Sequence, residues 1–158
     1  MAMILASQSP RRRELLGQMG FSFTVRPAKG EELPHPELTP AQRVEELARQ
    51  KALEVSAEAE ADDVVVAADT VVAIDGKVLG KPHDKVHAAQ MLSALSGREH
   101  TVYTGVAVKR GEKLLVEHEA TQVRFRPLTE REIDLYIQTG EPMDKAGSYG
   151  IQGYGALL

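Results

Sequence analysis

Val64–Val72 reads VVVAADTVV, an apolar run of valines and alanines interrupted by one acid, Asp69. Such a run is typical of a central strand that is buried on both faces. An ionised carboxylate is costly there unless a cation, a metal or several hydrogen-bond donors compensate it. The alternative is a strand that ends at Ala68, with Asp69 capping a turn, but the apolar continuation through Ile74 favours a continuous strand. Asp69 is therefore predicted to be the reacting or metal-holding group.

The composition predicts one globular domain that spans residues 1–158. The chain is long enough to bury a core, and its 42% hydrophobic and 27% charged content is ordinary for a soluble protein. The net charge of −4 does not favour nucleic acid or an anionic membrane as a partner. The absence of cysteine excludes disulfides, thiolate metal sites and a cysteine nucleophile. The first residues, MAMILASQSP, are too short an apolar stretch for a signal peptide, so a cytoplasmic location is expected.

Three arginines occupy the first turn of a predicted helix, in the stretch Ser7–Arg13 (SQSPRRR). Ser9 is a suitable N-cap and Pro10 fits the first helical position, while Leu15, Leu16 and Met19 give the helix an apolar stripe. Cations oppose the helix dipole at this end, but a helix N-terminus is also an anion site and arginine suits phosphate. The conflict disappears if a polyphosphate binds across the turn. The alternative is a solvated basic patch.

A lysine lies in the middle of the apolar face of the next predicted helix. Thr39 and Gln42 form a capping box that begins this helix. Lys51 follows Val44 by seven residues and Leu47 by four, which places its ammonium group on the buried face. It is therefore a candidate partner for a buried acid on the sheet. Snorkelling at the edge of the face is the alternative.

A tight hairpin is predicted after the central strand. Asp75-Gly76 is a strong two-residue turn signal, and it returns the chain to Gly80-Lys81-Pro82. The glycine permits a close backbone approach and the proline stiffens the chain beside Lys81. Lys81 is thus a candidate for the strand end that carries Asp69. An exposed lysine in a turn is an equally good interpretation of the local sequence.

Other polar residues receive no role from local sequence. Glu32 lies in a long proline-rich loop, residues 27–40, where acids are usually solvated. Four histidines lack metal-ligand spacing and are predicted to be surface or capping residues, namely His83, His87, His100 and His118.

The glycine-rich segment, residues 140–155, contains five glycines mixed with polar and aromatic residues. Glycines at this density indicate a backbone that lies close to something, and the side chains between them could read a nucleobase. The alternative is a flexible tail, but the content of Ile, Tyr and Gln without serine runs argues against it.

Together, SQSPRRR, AADTVV, GKP and DKAGSYGIQGYGA resemble, in order, the Maf family of nucleoside triphosphate pyrophosphatases. The resemblance covers essentially the whole chain and includes the LARQKA and LSGREHTVYTGV stretches. It is strongest to the branch that acts on dTTP and UTP, whose characteristic residues match Arg11, Thr70 and Gln152.

The resemblance implies an α/β fold, with a mixed twisted sheet flanked by helices and a cleft between two lobes, as in the inosine triphosphate pyrophosphatases. It implies cleavage of a nucleoside triphosphate to the monophosphate and pyrophosphate, with Mg²⁺, or alternatively Mn²⁺ or Co²⁺. A homodimer is also implied. Residue by residue, it implies that Asp69, Glu32, Lys51 and Lys81 are the catalytic residues. Asp69 and Glu32 would also bind the metal. The residues that would bind the triphosphate are Ser7, Ser9, Arg11 and Arg12.

The chain stops at Leu158, whereas relatives generally continue through a strand and a Gly-Leu-Pro-containing helix. We therefore expect either a truncated sequence or a short member that lacks these two elements. The family was first linked to septum formation, so a regulator of cell division that binds nucleotide or nucleic acid without hydrolysis is the competing hypothesis. Action on modified pyrimidine nucleotides, a house-cleaning role, is a third.

Overall fold

A computed structural model describes residues 1–30 and 35–158, and the following elements belong to those ranges. The strands are β1 (Met3–Leu5), β2 (Thr24–Val25), β3 (Val64–Ile74), β4 (Lys77–Leu79), β5 (Glu99–Arg110) and β6 (Lys113–Arg124). The α-helices are α1 (Pro10–Gln18), α2 (Pro40–Ser56), α3 (Lys85–Leu95) and α4 (Glu130–Gln138). Three short 3₁₀ helices follow, at Glu141–Asp144, Ala146–Ser148 and Gly153–Leu157.

The strands form one mixed sheet. Its order is β2-β1-β3-β5-β6, and β4 pairs with β3. β1 is parallel to both β2 and β3, whereas β3 and β4 are antiparallel. The predicted α/β class with a mixed sheet is confirmed. β3 passes through Asp69 without a break and ends at Ile74, as predicted.

The predicted hairpin lies between β3 and β4. Asp75 has φ of 51° and Gly76 has φ of 75°. Positive φ at both central residues is what a two-residue turn matching the twist of its strands requires, and aspartate followed by glycine tolerates it best. The prediction of a hairpin at this dipeptide is confirmed.

The described chain divides into two compact units, each with its own core. One contains residues 1–69 and 104–119, and the other contains residues 70–103 and 120–158. β3, β5 and β6 each contribute residues to both units. A single domain over residues 1–158 and a cleft between lobes stay predictions.

In the first unit, α2 lies unusually close to β5. A Cβ atom on Gly105 would lie 2.2 Å from the carbonyl oxygen of Val44, so only glycine fits without movement of the helix. The apolar face of α2 is buried as its periodicity predicts, through Val44, Leu47, Ala48, Ala52 and Val55. Lys51 lies on this same face, so the packing of α2 brings a cation to the sheet.

α1 differs from the prediction in how it is held. Ser9 caps it, but none of its residues is buried, and Leu15 and Met19 of the apolar stripe are exposed. The helix is therefore held by its N-terminal hydrogen bonds rather than by a packed stripe. Within residues 1–30 and 35–158, no helix has both the length and the apolarity needed to cross a bilayer.

Candidate active site

Asp69 is a buried acid with a lysine partner. It is 8% exposed on β3, and Lys51 Nζ donates to its Oδ1 over 3.0 Å. The Lys51 side chain is itself largely enclosed, with 22% exposed. Helix periodicity places Lys51 on the buried face of α2, and the packing of α2 brings it to the strand that carries the acid. The predicted partnership of these two residues is confirmed as a contact, while their chemical roles stay predictions.

Arg12 joins the SQSPRRR turn to the same strand. Its Nη1 donates to the carbonyl oxygen of Ala68 over 2.9 Å and to Ser7 Oγ over 3.3 Å. Ala68 immediately precedes Asp69, so a fixed guanidinium group lies beside the backbone of the acid.

Two serines organise the turn that holds Arg12. Ser7 is buried, and its Oγ accepts a hydrogen bond from the backbone N–H of Ser9 over 3.1 Å. Ser9 Oγ accepts from the backbone N–H of Arg12 over 3.3 Å, which makes it the predicted N-cap. The serines therefore shape the turn and the first helical residues.

Arg11 is only half-buried. Its Nη1 lies 3.4 Å from Oε2 of Glu14, in a pair whose two side chains are both substantially exposed. Exposed pairs of this kind contribute little to stability. The structure therefore gives Arg11 a surface position beside the anchored Arg12, and its role in specificity stays a prediction.

Two cationic side chains lie at the part of β3 that carries Asp69. Lys51 donates to the Asp69 carboxylate, and Arg12 donates to the carbonyl oxygen of the preceding residue, Ala68. Backbone N–H groups at the N-terminus of α1 add partial positive charge at the same turn. Cationic side chains and helix N-terminal N–H groups are the kinds of group that bind phosphate.

Three further candidates belong to the second unit. Thr70 is half-buried in β3, whereas Lys81 and Gln152 are exposed. The turn that carries Lys81 contacts the glycine-rich segment, because Gly147 N donates to the carbonyl oxygen of Gly80 over 3.0 Å. The grouping of these residues with Asp69 stays a prediction.

Glu32 lies outside the described residues. Among the residues described, no group of three or more His, Asp or Glu side chains could hold a metal ion. This donor set still fits Mg²⁺, which proteins commonly bind through one or two carboxylates together with substrate phosphates and water. Asp69 provides such a carboxylate.

His100 contradicts its prediction as a surface or capping residue. It is 3% exposed, and burial lowers its pKa from the ordinary value of 6.5. Its Nε2 lies 2.6 Å from Oη of Tyr149, whose pKa burial raises to about 12. The alternation of β5 was the available signal, because His100 shares a strand face with Val102, which packs against the core of the second unit.

The likeness to a solved structure concerns the fold. A Staphylococcus aureus protein described as the Ham1 protein matches with a TM-score of 0.55 and 14% identity, over 78% of this chain and 71% of that one. At this identity the match shows a shared mixed α/β fold and nothing further.

The sequence comparisons show the family. The family described as Maf-like protein matches residues 2–158. A dTTP/UTP pyrophosphatase of Bacillus pumilus is 54% identical over 99% of this chain and 82% of its own length. A dTTP/UTP pyrophosphatase of Moorella thermoacetica is 54% identical over 99% of this chain and 81% of its own length. The chain belongs to the Maf-like protein family.

Proposed function

We propose that the protein hydrolyses dTTP and UTP to the nucleoside monophosphate and pyrophosphate. The observation that carries this proposal is the environment of the buried Asp69. Lys51 donates a hydrogen bond to its carboxylate, and Arg12 donates one to the carbonyl oxygen of the preceding residue. The similarity to relatives described as dTTP/UTP pyrophosphatases supports the choice of reaction and substrate.

In this reaction, water attacks the α-phosphorus and the bond to the oxygen that bridges the α- and β-phosphorus breaks. Asp69 orients the water and accepts its proton, which a carboxylate within reach of the nucleophile can do. The pyrophosphate leaves with the bridging oxygen. Lys51 donates a hydrogen bond to Asp69 Oδ1 and so orients the carboxylate before the attack.

The cations of the site act on the triphosphate. Negative charge is spread over the nonbridging and leaving oxygens in the transition state, so fixed positive groups stabilise it. Arg12 is already fixed by Ala68 and Ser7, so little reorganisation is needed when the phosphate binds. Ser9, Arg11 and Lys81 complete the proposed phosphate-binding set.

A divalent metal is part of the proposal. Asp69 and Glu32 would hold Mg²⁺, with Mn²⁺ or Co²⁺ as alternatives. When bound, the metal supplies charge neutralisation at the phosphate oxygens. Discrimination among bases is assigned to Arg11, Thr70 and Gln152, and modified pyrimidine nucleotides are further candidate substrates. Action in the cytoplasm as a homodimer completes the proposal.

The central test compares the Asp69→Asn variant with the Asp134→Asn variant, which removes an exposed acid of α4. Pyrophosphate release from dTTP and UTP is measured with and without Mg²⁺. We expect wild type and Asp134→Asn to turn over alike, and Asp69→Asn to lose at least about a hundredfold in kcat, the lower range for a lost proton acceptor. Near wild-type turnover by Asp69→Asn would remove this residue from the mechanism.

The same assay decides the competing function. A regulator of cell division that only binds nucleotide would release no pyrophosphate from any nucleotide, yet would still bind it in equilibrium dialysis. Release of orthophosphate instead of pyrophosphate would assign the cleavage to a different phosphoanhydride bond.

A further inference from the structure

His100 packs against two aromatic rings in the second unit. Its ring meets the Phe125 ring edge-on at a centroid distance of 5.0 Å and the Tyr149 ring at 5.4 Å. Phe125 and Tyr149 also contact each other edge-to-face, at 4.6 Å. The His100–Tyr149 hydrogen bond therefore lies inside a packed cluster of three rings.

The cluster contains a polar defect. His100 Nδ1 is buried and has no hydrogen-bond partner in the described part of the chain. A buried polar atom left in this way destabilises a fold, and an apolar side chain would remove the cost. Stability alone therefore does not explain a histidine here. What the histidine adds is one fixed partner for the Tyr149 hydroxyl group.

Tyr149 is the central anchor of the glycine-rich segment. The backbone around it is irregular, with φ of 71° at Gly147 and 69° at Ser148. Such a backbone does not define its own path, so contacts with the rest of the unit must do so. Ser148 is fully buried, and its Oγ lies 3.0 Å from Sδ of Met91.

Two further bonds hold the segment beyond Tyr149. Gly150 N donates to Tyr136 Oη over 3.3 Å, and Gly155 N donates to Glu141 Oε2 over 3.2 Å. Gln152 lies between these two fixed points and is exposed. Gln152 thus belongs to a short loop, residues 150–155, that is held at both ends and is called the arch below. Tyr149 immediately precedes the arch, and its side chain is anchored in the aromatic cluster.

We propose that His100 is a positioning residue for nucleobase recognition, which acts through Tyr149 to hold the arch that presents Gln152 to the pyrimidine. This inference rests on the proposed function. The amide of Gln152 has both a donor and an acceptor. Uracil and thymine have a carbonyl oxygen at the position where cytosine has an amino group. An amide held in one orientation can distinguish the carbonyl oxygen from the amino group, whereas an amide that rotates freely can bind both.

The test measures the ratio of kcat/KM for UTP to that for CTP. His100→Phe and Tyr149→Phe keep the rings but lose the hydrogen bond. We expect both to lower the ratio about three- to tenfold, the effect of one hydrogen bond between neutral groups, mainly through KM for UTP. His100→Gln places an amide, which has both a donor and an acceptor, near the position of Nε2 and should restore the ratio. Asp134→Asn removes an exposed acid from α4, outside the glycine-rich segment, and should leave the ratio unchanged.

A structural role alone gives a different pattern. If His100→Phe and Tyr149→Phe lower the melting temperature and the activity on both nucleotides equally, the ratio stays constant and the inference is wrong. It is also wrong if His100→Gln behaves like His100→Phe.

A separate measurement tests the positioning role of His100 in the case that the proposed function is wrong. If wild type releases no pyrophosphate from either nucleotide, amide hydrogen exchange over residues 149–153 decides the positioning claim. Faster exchange there in His100→Phe and Tyr149→Phe, but not in His100→Gln, supports it. Equal exchange in all variants overturns it.

Discussion

At the scale of single residues, the pair formed by Lys51 and Asp69 is better explained by chemistry than by stability. Removing two charges from water costs several kcal/mol per ion, and their attraction often only balances that cost. A well-packed apolar pair would stabilise the fold as well or better. Lys51 Nζ lies 3.0 Å from Asp69 Oδ1, and the pair lies beside the fixed side chain of Arg12. The proposed hydrolysis, which needs a carboxylate that orients water, supplies a reason for the pair.

His100 makes the stability of the fold depend on pH. Its pKa is lowered by burial, and the groups its ring contacts are Tyr149, which is neutral in this range, and the apolar Phe125. The unfolded chain therefore binds a proton near pH 6.5 that the folded chain resists. The stability that the folded chain gains from a neutral His100 is fully present above pH 6.5, and it is lost as the pH falls below that value. We expect the melting temperature of wild type to fall more steeply than that of His100→Gln between pH 7.5 and pH 5. Parallel curves would contradict this expectation.

The histidine and the lysine also show what sequence can and cannot predict about residues. The position of Lys51 was readable, because helix periodicity fixes which face a residue occupies. The burial of His100 depends on Tyr149, 49 residues away. The bond from Arg12 to the Ala68 carbonyl spans 56 residues. Contacts at such separation depend on how the elements pack, which local patterns do not contain.

At the scale of elements, each helix N-terminal cap stabilises its helix by accepting a hydrogen bond from a backbone N–H group. The caps differ in the residues whose position they fix. Ser9 caps α1 and Thr129 caps α4, each by accepting a backbone N–H. Either change to alanine should cost about 1 kcal/mol of stability. Ser9 also fixes the turn around Arg12, so we expect Ser9→Ala to raise KM for dTTP severalfold and Thr129→Ala to leave it unchanged. Steady-state kinetics and thermal melts of both variants test this. Equal kinetic losses would mean that general stability, not the turn, controls activity.

Element boundaries and caps were predictable because their signals are local. Ser-Pro at residues 9–10 and the capping box of Thr39 and Gln42 each mark a helix start within four residues, and both are observed. The stripe on α1 shows the limit of this approach. Leu15 and Met19 have the spacing of a buried face, yet both are exposed. Amphipathic spacing indicates that a face can be buried, but what covers it is decided elsewhere in the chain.

At the scale of the whole molecule, two cores share three strands. One core includes Ile4 from β1, and the other includes Leu92 from α3. β3, β5 and β6 each contribute residues to both units, so the two units share continuous strand backbone. We therefore expect the chain to unfold in a single transition, as small single domains usually do.

The distribution of tyrosine makes this cooperativity measurable. The chain has no tryptophan, and all four tyrosines belong to the second unit, so tyrosine fluorescence reports on that unit while circular dichroism reports on both. Ile4→Ala, in the first unit, should destabilise the fold by about 2–5 kcal/mol and shift both signals together, as Leu92→Ala should from the other side. If Ile4→Ala moves the circular dichroism transition and leaves the tyrosine transition in place, the units unfold independently. Residues 1–158 would then be two domains joined by continuous strands.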